Sequence, residues 1–175
     1  PLTSKDLSKY IADYDALHHL DLKKYSSAEA QIASLSDDIA YITHDLEDSI
    51  GAEIITYQDL EEIEFIAEYI QSIKHTYKNI DKARLIYEVA RKLTHHLIDS
   101  LLSQTRNNIK TLKIETESDI RNLGRPLVEF TENTVNEVKL IKDFLFRKVY
   151  RHHRVVAVTL QCQNIIKSLF KLYAE

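Results

Sequence analysis

Residues 28–50, AEAQIASLSDDIAYITHDLEDSI, are the stretch that decides the fold class. Large aliphatic residues recur along it at intervals of three or four, which is the spacing of one face of an α-helix; they are Ile32, Leu35, Ile39, Ile42 and Leu46. Ser26 and Ser27 precede the stretch and suit a helix cap, and Gly51 suits its end. The stretch therefore predicts a helix about 35 Å long with a buried apolar stripe.

The rest of the chain has the same periodicity. Further helices are predicted to start near Thr3 or Ser4, to cover 57–71 and 81–103, to run from Thr131 or Thr134 to a break near His152, and to cover 155–172. Asp81 is predicted to cap the helix over 81–103. The 175 residues contain two glycines and two prolines, too few for the turns of a many-stranded sheet or for a glycine-rich phosphate loop. We therefore predict an all-α, multi-helix array that forms a single domain over residues 1–175.

Charge and cysteine content further restrict the class of protein. The chain has 23 basic and 27 acidic residues and a net charge of −4, so general attraction to nucleic acid or to an anionic membrane is not expected. The single cysteine, Cys162, excludes a disulfide within the chain and fits a reducing, cytoplasmic location. We expect it to be a small core residue. No apolar run approaches the roughly 20 residues of a membrane span.

The helix predicted for residues 28–50 has an acidic and aromatic face beside its apolar stripe. Its members recur at intervals of three and four; they are Asp37, Tyr41, His44, Asp45 and Asp48. A solvated acidic face is the simplest interpretation. The interleaved tyrosine and histidine, and the poor helix propensity of aspartate, favour a binding surface instead. Short carboxylates beside a tyrosine can hold a hard cation or accept a hydrogen bond from a ribose hydroxyl.

These residues resemble the aspartate-bearing helix of the deoxyguanosine triphosphate triphosphohydrolase-like family, within the HD superfamily. The resemblance rests on Glu29-Ala30-Gln31, on 37–41 (DDIAY) and on 45–48 (DLED). A second match follows in the same order, with GRPLVEF at 124–130 and KDFLFRKVYRHHRVV at 142–156. The resemblance covers nearly the whole chain and implies an HD-domain-like helical array.

The family resemblance also implies an activity and a set of site residues. Members hydrolyse a deoxynucleoside triphosphate to a nucleoside and triphosphate, with a divalent metal such as Mg²⁺ or Mn²⁺. Asp37 corresponds to the last metal ligand, four residues before the tyrosine, and Asp38 is the competing candidate for that role. Tyr41 corresponds to the residue that packs against the deoxyribose, and Asp45 to the one that hydrogen-bonds its 3′-hydroxyl.

The sequence departs from the family in its metal-binding motifs. A first histidine and a His-Asp pair lie in the family's N-terminal half, before the helix with the EAQ motif. Only 28 residues precede Glu29 here, and the His44-Asp45 pair sits on the wrong helix for that role. We expect this chain to match the C-terminal half, with one metal ligand of four, weak or absent metal binding, and no activity alone. The alternative is a non-catalytic helical remnant or accessory subunit that binds a nucleotide or a partner protein.

Three other features predict contacts rather than chemistry. A basic cluster, which comprises Arg147, Lys148, Arg151 and Arg154, is either a solvated face or a surface for phosphate, another subunit or, less in keeping with the net charge, nucleic acid. The pair at 95–96 is expected to be a surface or packing pair of histidines. The segment 81–103 is apolar over a wide arc, with Tyr87, Ala90 and Leu97 off its main line, which predicts a homo-oligomer or contact with a missing N-terminal half.

Overall fold

The computed structural model describes residues 8–174, and the predicted helix start at Thr3 or Ser4 lies outside that range. The described residues are mostly helical and contain no strand, which confirms the all-α class. The helices are Lys9–His18 (α1), Ala28–Gly51 (α2), Glu64–Thr76 (α3), Lys82–Thr111 (α4), Glu117–Arg121 (α5), Glu132–Leu145 (α6) and His153–Ala174 (α7). A 3₁₀ turn, Asp59–Glu62, precedes α3, and a π-helical turn, Phe146–Tyr150, follows α6.

The chain forms two compact units. The first combines the residues up to Ile39 with Leu97–Thr134, and the second combines Ala40–His96 with the residues from Val135 onward. Three helices, α2, α4 and α6, begin in one unit and end in the other. Among residues 8–174, no helix has both the length and the apolar character that crossing a bilayer requires.

Two buried amide side chains organise the first unit. The Gln31 carbonyl oxygen accepts hydrogen bonds from the backbone N–H groups of Leu127 and Val128, at 2.9 and 3.2 Å, and its amide donates to Ser26 at 2.8 Å. The Asn108 amide donates to the Leu127 carbonyl at 2.9 Å. Buried backbone groups need such partners, because leaving one unpaired costs about 1–3 kcal/mol. The EAQ motif and the GRPLVEF motif are therefore in direct contact.

The second unit has an apolar core made largely of aliphatic side chains. Its fully buried side chains come from α2, α3, α4 and α6 and from the 3₁₀ turn; they include Ile42, Leu60, Ile66, Ile70, Leu93, Ile141 and Phe144. The spacing of three or four within each helix places these residues on one side of it. Because one side of α2 packs into this core, its opposite, polar side points away from the core.

The helix starts follow local capping rules. Asp81 accepts the N–H of Arg84 at 2.9 Å, so the predicted cap of α4 is confirmed. Of the two predicted starts of α6, Thr131 is correct, because its hydroxyl accepts the N–H of Thr134 at 3.4 Å.

The helix lengths differ from the prediction in two places. Helix α4 continues eight residues beyond 103 to Thr111, through a polar segment that is mostly exposed but whose Asn108 is buried and donates to the Leu127 carbonyl. Helix α3 begins only at Glu64, because a turn at 57–58 and the 3₁₀ turn Asp59–Glu62 precede it. At the end of α2, Gly51 is the last helical residue, and Glu53, with a φ of 53°, adopts the left-handed conformation instead.

Several expectations about burial were wrong or only partly right. In the predicted stripe of α2, Ile39, Ile42 and Leu46 are buried, whereas Ile32 is 45% exposed and Leu35 is half-buried. Cys162 is exposed rather than part of the core, because no residue of α7 is buried. Apolar spacing identifies the face of a helix that prefers burial, but it does not show whether anything covers that face.

Candidate functional site

The candidate site lies on the exposed side of α2 in the second unit. Tyr41 and Asp45 are one helical turn apart, and the neighbouring residues Ile42 and Leu46 point into the core. The Tyr41 side chain is 56% exposed, and Asp45 is half-buried. The two residues predicted to contact a sugar are thus accessible and share one face of the helix.

Tyr150, at the end of the π-helical turn, joins these two residues. Its hydroxyl donates a hydrogen bond to Oδ2 of Asp45, and its ring centroid lies 6.5 Å from that of Tyr41. We call Tyr41, Asp45 and Tyr150 the Tyr150 cluster. Burial raises the pKa of the Tyr150 hydroxyl well above its usual value, and hydrogen bonds with Asp45 and Tyr41 raise it further. The hydroxyl donates to the Asp45 carboxylate and so favours one orientation of it.

The π-helical turn explains how Tyr150 reaches α2. Such a turn contains one more residue than an α-helical turn and so rotates the residues that follow it. Val149 is buried, and the next side chain, Tyr150, is half-buried against α2. Sequence reasoning missed this residue as a site member: Tyr150 belongs to the second matched motif, but it is 105 positions from Asp45 and no local signal links them.

Asp37, the predicted metal ligand, lies one helical turn before Tyr41, in the part of α2 that belongs to the first unit. Asp37 is exposed, and the competing Asp38 is half-buried. Within residues 8–174, no group of three or more histidine, cysteine, aspartate or glutamate side chains could hold a metal ion. One carboxylate does not satisfy a divalent cation, which takes at least four ligands in proteins. The described residues therefore do not form a metal site, and the role of Asp37 stays a prediction.

The basic cluster is largely occupied by contacts within the second unit. Lys148 donates to Glu62 at 2.6 Å and lies 3.8 Å from Asp59, and the hydrogen bond to Glu62 raises the pKa of its ammonium group. Arg154 donates to the Ala52 carbonyl at 3.1 Å. The Arg151 guanidinium lies over the Phe146 ring at 4.6 Å. Three of the four cations thus stabilise helix ends and turns.

Of the paired histidines, one makes a specific contact between helices. Nε2 of His96 on α4 lies 2.6 Å from a carboxylate oxygen of Glu137 on α6, beside the rings of Phe65 and Tyr69. Burial, followed by the charges of Glu137 and Glu68, raises the pKa of the Tyr69 hydroxyl. The observed role of His96 is packing between helices.

Comparisons with known proteins support the resemblance. Residues 128–175 match the model of the phosphohydrolase-associated domain. Along almost the whole chain, the sequence is similar to proteins named deoxyguanosinetriphosphate triphosphohydrolase-like protein. The protein from Rickettsia bellii is 49% identical over 98% of this chain and 45% of its own length. The one from Rickettsia canadensis is 47% identical over 100% of this chain and 46% of its own length.

The chain spans less than half the length of these relatives. The Rickettsia felis protein shows the same proportion, with 47% identity over 45% of its own length. The two motif regions quoted above lie within the aligned stretch, which covers the full chain in the second and third comparisons. The chain is therefore similar along almost its whole length to proteins named deoxyguanosinetriphosphate triphosphohydrolase-like protein, and the resemblance predicted from its sequence is confirmed.

Proposed function

We propose that this chain provides the sugar-binding face of a metal-dependent deoxynucleoside triphosphate triphosphohydrolase. The observation that carries the proposal is the Tyr150 cluster, in which one aromatic ring and one oriented carboxylate lie side by side on α2. The names of the relatives suggest deoxyguanosine triphosphate as the first substrate to test.

The chemistry of the cluster suits a deoxyribose. The exposed Tyr41 ring offers an apolar surface against which a sugar without a 2′-hydroxyl packs closely, whereas an added hydroxyl would have to be accommodated against that ring. A carboxylate has about four acceptor sites, so the Tyr150 hydrogen bond to Oδ2 of Asp45 leaves Oδ1 available for a 3′-hydroxyl. The fixed orientation of Asp45 lowers the entropy that is lost when the sugar binds.

Binding of the sugar is tested by saturation-transfer NMR with deoxyguanosine triphosphate and with guanosine triphosphate. We expect signals from the deoxyribose protons with the unchanged chain and weaker signals from the ribose protons. Tyr41→Ala should reduce the deoxyribose signals several-fold, whereas Tyr87→Ala should leave them unchanged. The second variant is a matched control, because Tyr87 is 60% exposed on another helix of the same unit. Equal losses in the two variants would contradict the proposal.

We also propose that hydrolysis requires metal ligands from outside these 175 residues. This follows from the lack of a metal-ligand group in residues 8–174 and from the single His-Asp pair, His44-Asp45, which lies on α2 itself. The test incubates the pure chain with each deoxynucleoside triphosphate and Mn²⁺ or Mg²⁺ and measures released triphosphate. We expect none. Turnover that persists through further purification and is abolished by Asp37→Ala would overturn this part of the proposal.

A second candidate function is a non-catalytic accessory module that binds a partner protein. The observation that favours it is α7, which exposes apolar residues along its length. The NMR experiment separates the two candidates. An accessory role that does not involve nucleotide is supported if deoxyguanosine triphosphate gives no deoxyribose signal with the unchanged chain.

A further inference from the structure

The π-helical turn Phe146–Tyr150 makes three different contacts through consecutive residues. Val149 is buried in the core of the second unit, with Lys148 before it and Tyr150 after it. Lys148 contacts the 3₁₀ turn that precedes α3, whereas the Tyr150 hydroxyl donates to Asp45 on α2. Residues two positions apart in a helix do not share a face, so these two contacts lie on different sides of the turn. The rotation of the turn therefore determines both contacts together.

Lys148 bridges two carboxylates of the 3₁₀ turn. Its ammonium nitrogen donates to Oε1 of Glu62 at 2.6 Å and lies 3.8 Å from Oδ1 of Asp59. The other oxygen of Asp59, Oδ2, accepts hydrogen bonds from the backbone N–H and the hydroxyl of Thr56, at 2.8 and 2.7 Å. The same turn is anchored in the core by Leu60, which is buried. Lys148 is therefore attached to a turn that other contacts already hold in place.

A second polar contact holds the chain after Tyr150. Arg154, in the first turn of α7, donates to the Ala52 carbonyl just beyond the end of α2, at 3.1 Å. Tyr150 thus lies between two contacts that reach outside the π-helical turn, one on each side of it along the chain. Of the two, Lys148 belongs to the π-helical turn itself and so acts more directly on its rotation.

We propose that Lys148 is a positioning residue for the Tyr150 cluster. Its bridge to the 3₁₀ turn holds the π-helical turn in the rotation that brings the Tyr150 hydroxyl to Asp45. The side chains of Lys148 and Glu62 are 34% and 44% exposed, so their ion pair contributes little to the free energy of folding and acts on the geometry of the turn instead. When the bridge is removed, the commoner α-helical geometry competes and rotates Tyr150 away from α2. The consequence for sugar binding rests on the proposed function, whereas the contact with Asp45 is tested without nucleotide.

The first test follows the ionisation of Tyr150 in the absence of nucleotide. In the folded chain, burial and then the hydrogen bond to Asp45 raise the pKa of its hydroxyl. Lys148→Met removes the ammonium group but keeps a long side chain, and we expect it to return the pKa of Tyr150 toward its ordinary value. The measurement is a pH titration, by NMR of the chain labelled with ¹³C-tyrosine, of the ring carbon that bears the hydroxyl. The Tyr150 signal is the one that is missing from Tyr150→Phe.

The sign of this change separates positioning from a direct effect of charge. A nearby positive charge favours the phenolate, so loss of the Lys148 charge alone would raise the pKa of Tyr150. A fall in that pKa instead reports loss of burial or of the contact with Asp45. Lys148→Arg, which keeps the charge and presents several donors to the two carboxylates, should restore the raised pKa.

Lys74→Met is the matched control for this test. Lys74 pairs with Glu61 of the same 3₁₀ turn at 3.5 Å, through side chains of similar exposure, but it belongs to α3 rather than to the π-helical turn. We expect it to leave the pKa of Tyr150 unchanged. A Tyr150 pKa that is the same in Lys148→Met as in the unchanged chain, or that falls equally in Lys74→Met, would overturn the proposal.

The bridge is also tested from its acidic side, which decides the question if Lys148→Met does not fold. Glu62→Gln removes the closer partner of Lys148, and Glu61→Gln removes the neighbouring charge that pairs with α3. We expect the pKa of Tyr150 to fall in the first variant and to stay in place in the second. Equal values in these two variants would overturn the proposal.

The second test connects the bridge to sugar binding, by saturation-transfer NMR with deoxyguanosine triphosphate. Glu62→Gln removes a negative charge, so a purely electrostatic effect on the anionic nucleotide would strengthen the deoxyribose signals, whereas loss of positioning should weaken them several-fold. Glu61→Gln should not weaken them. Absence of these signals with the unchanged chain would refute the proposed function, and the pKa of Tyr150 would still decide the role of Lys148. Undiminished signals in Glu62→Gln, with a lowered pKa of Tyr150, would overturn the link between the bridge and sugar binding.

Discussion

Replacing Tyr150 with phenylalanine tests the hydrogen-bonding core of the candidate site. The change removes one hydroxyl and leaves the ring, so the packing of the π-helical turn is retained. It leaves Asp45 without the donor that orients its carboxylate and removes the hydrogen bond to Tyr41. The variant therefore separates the effect of orientation from that of shape.

The magnitude follows from burial and charge. A hydrogen bond to a charged group contributes about 1.5–3 kcal/mol to stability when it is buried. Tyr150 and Asp45 are only half-buried, so water can partly replace the lost donor. We expect Tyr150→Phe to lower the free energy of unfolding by about 1–2 kcal/mol. For a chain of this size, each kcal/mol corresponds to a fall in Tm of about 2–4 °C.

Urea unfolding followed by circular dichroism provides the measurement, with Tyr87→Phe as the control. Tyr87 is exposed, so removal of its hydroxyl should change the free energy of unfolding by less than about 0.5 kcal/mol. A Tyr150→Phe variant as stable as the control would refute the inferred hydrogen bond. The raised pKa of Tyr150 gives a second readout. Folded Tyr150 should stay protonated at pH 10–11, so the unchanged chain should lose stability above pH 10 more steeply than Tyr150→Phe.

Three further predictions address the fold. Leu93→Ala, at a fully buried position, should lower the free energy of unfolding by about 2–5 kcal/mol in urea titrations, and a loss below about 1 kcal/mol would contradict its place in the core. Glu53→Gly should raise Tm, because glycine removes the cost of about 1 kcal/mol for a left-handed residue with a side chain; an unchanged or lower Tm would count against that conformation. Hydrogen bonds from Thr56 lower the pKa of the Asp59 carboxyl. The charged carboxylate should therefore stabilise the fold above pH 4, and this stabilisation should be lost as the pH falls through that lowered pKa. The urea midpoint of Asp59→Asn should therefore lie below that of the unchanged chain at pH 6 and converge with it near pH 2, and a constant difference would refute the assignment.

Local patterns predict the helices and their caps well, because those features depend on nearby residues. The apolar spacing of 28–50 predicts α2 to within one residue, and Asp81 caps α4 as its position suggests. Resemblance to known proteins adds Tyr41 and Asp45, and the structure finds both on the accessible side of α2.

Contacts between distant residues could not be predicted in this way. Tyr150 meets Asp45 only because the π-helical turn rotates it toward α2, and Gln31 binds the segment at 127–128 across 96 positions of sequence. The exposure of a side chain could not be predicted from the sequence either. Cys162 lies in an apolar helix, yet nothing in its own unit buries it. Sequence periodicity shows which face could be buried, and only the packed structure shows which face is.

The central claim is that the Tyr150 cluster binds the sugar of a deoxynucleotide. Chemical-shift mapping of the ¹⁵N-labelled chain, titrated in parallel with deoxyguanosine triphosphate and with inorganic triphosphate, tests it most directly. We predict that the nucleotide shifts the amide signals of Tyr41, Asp45 and Tyr150, and that inorganic triphosphate leaves them in place. Shifts at those amides that are the same with both compounds, or nucleotide-induced shifts confined to other parts of the chain, would contradict the claim.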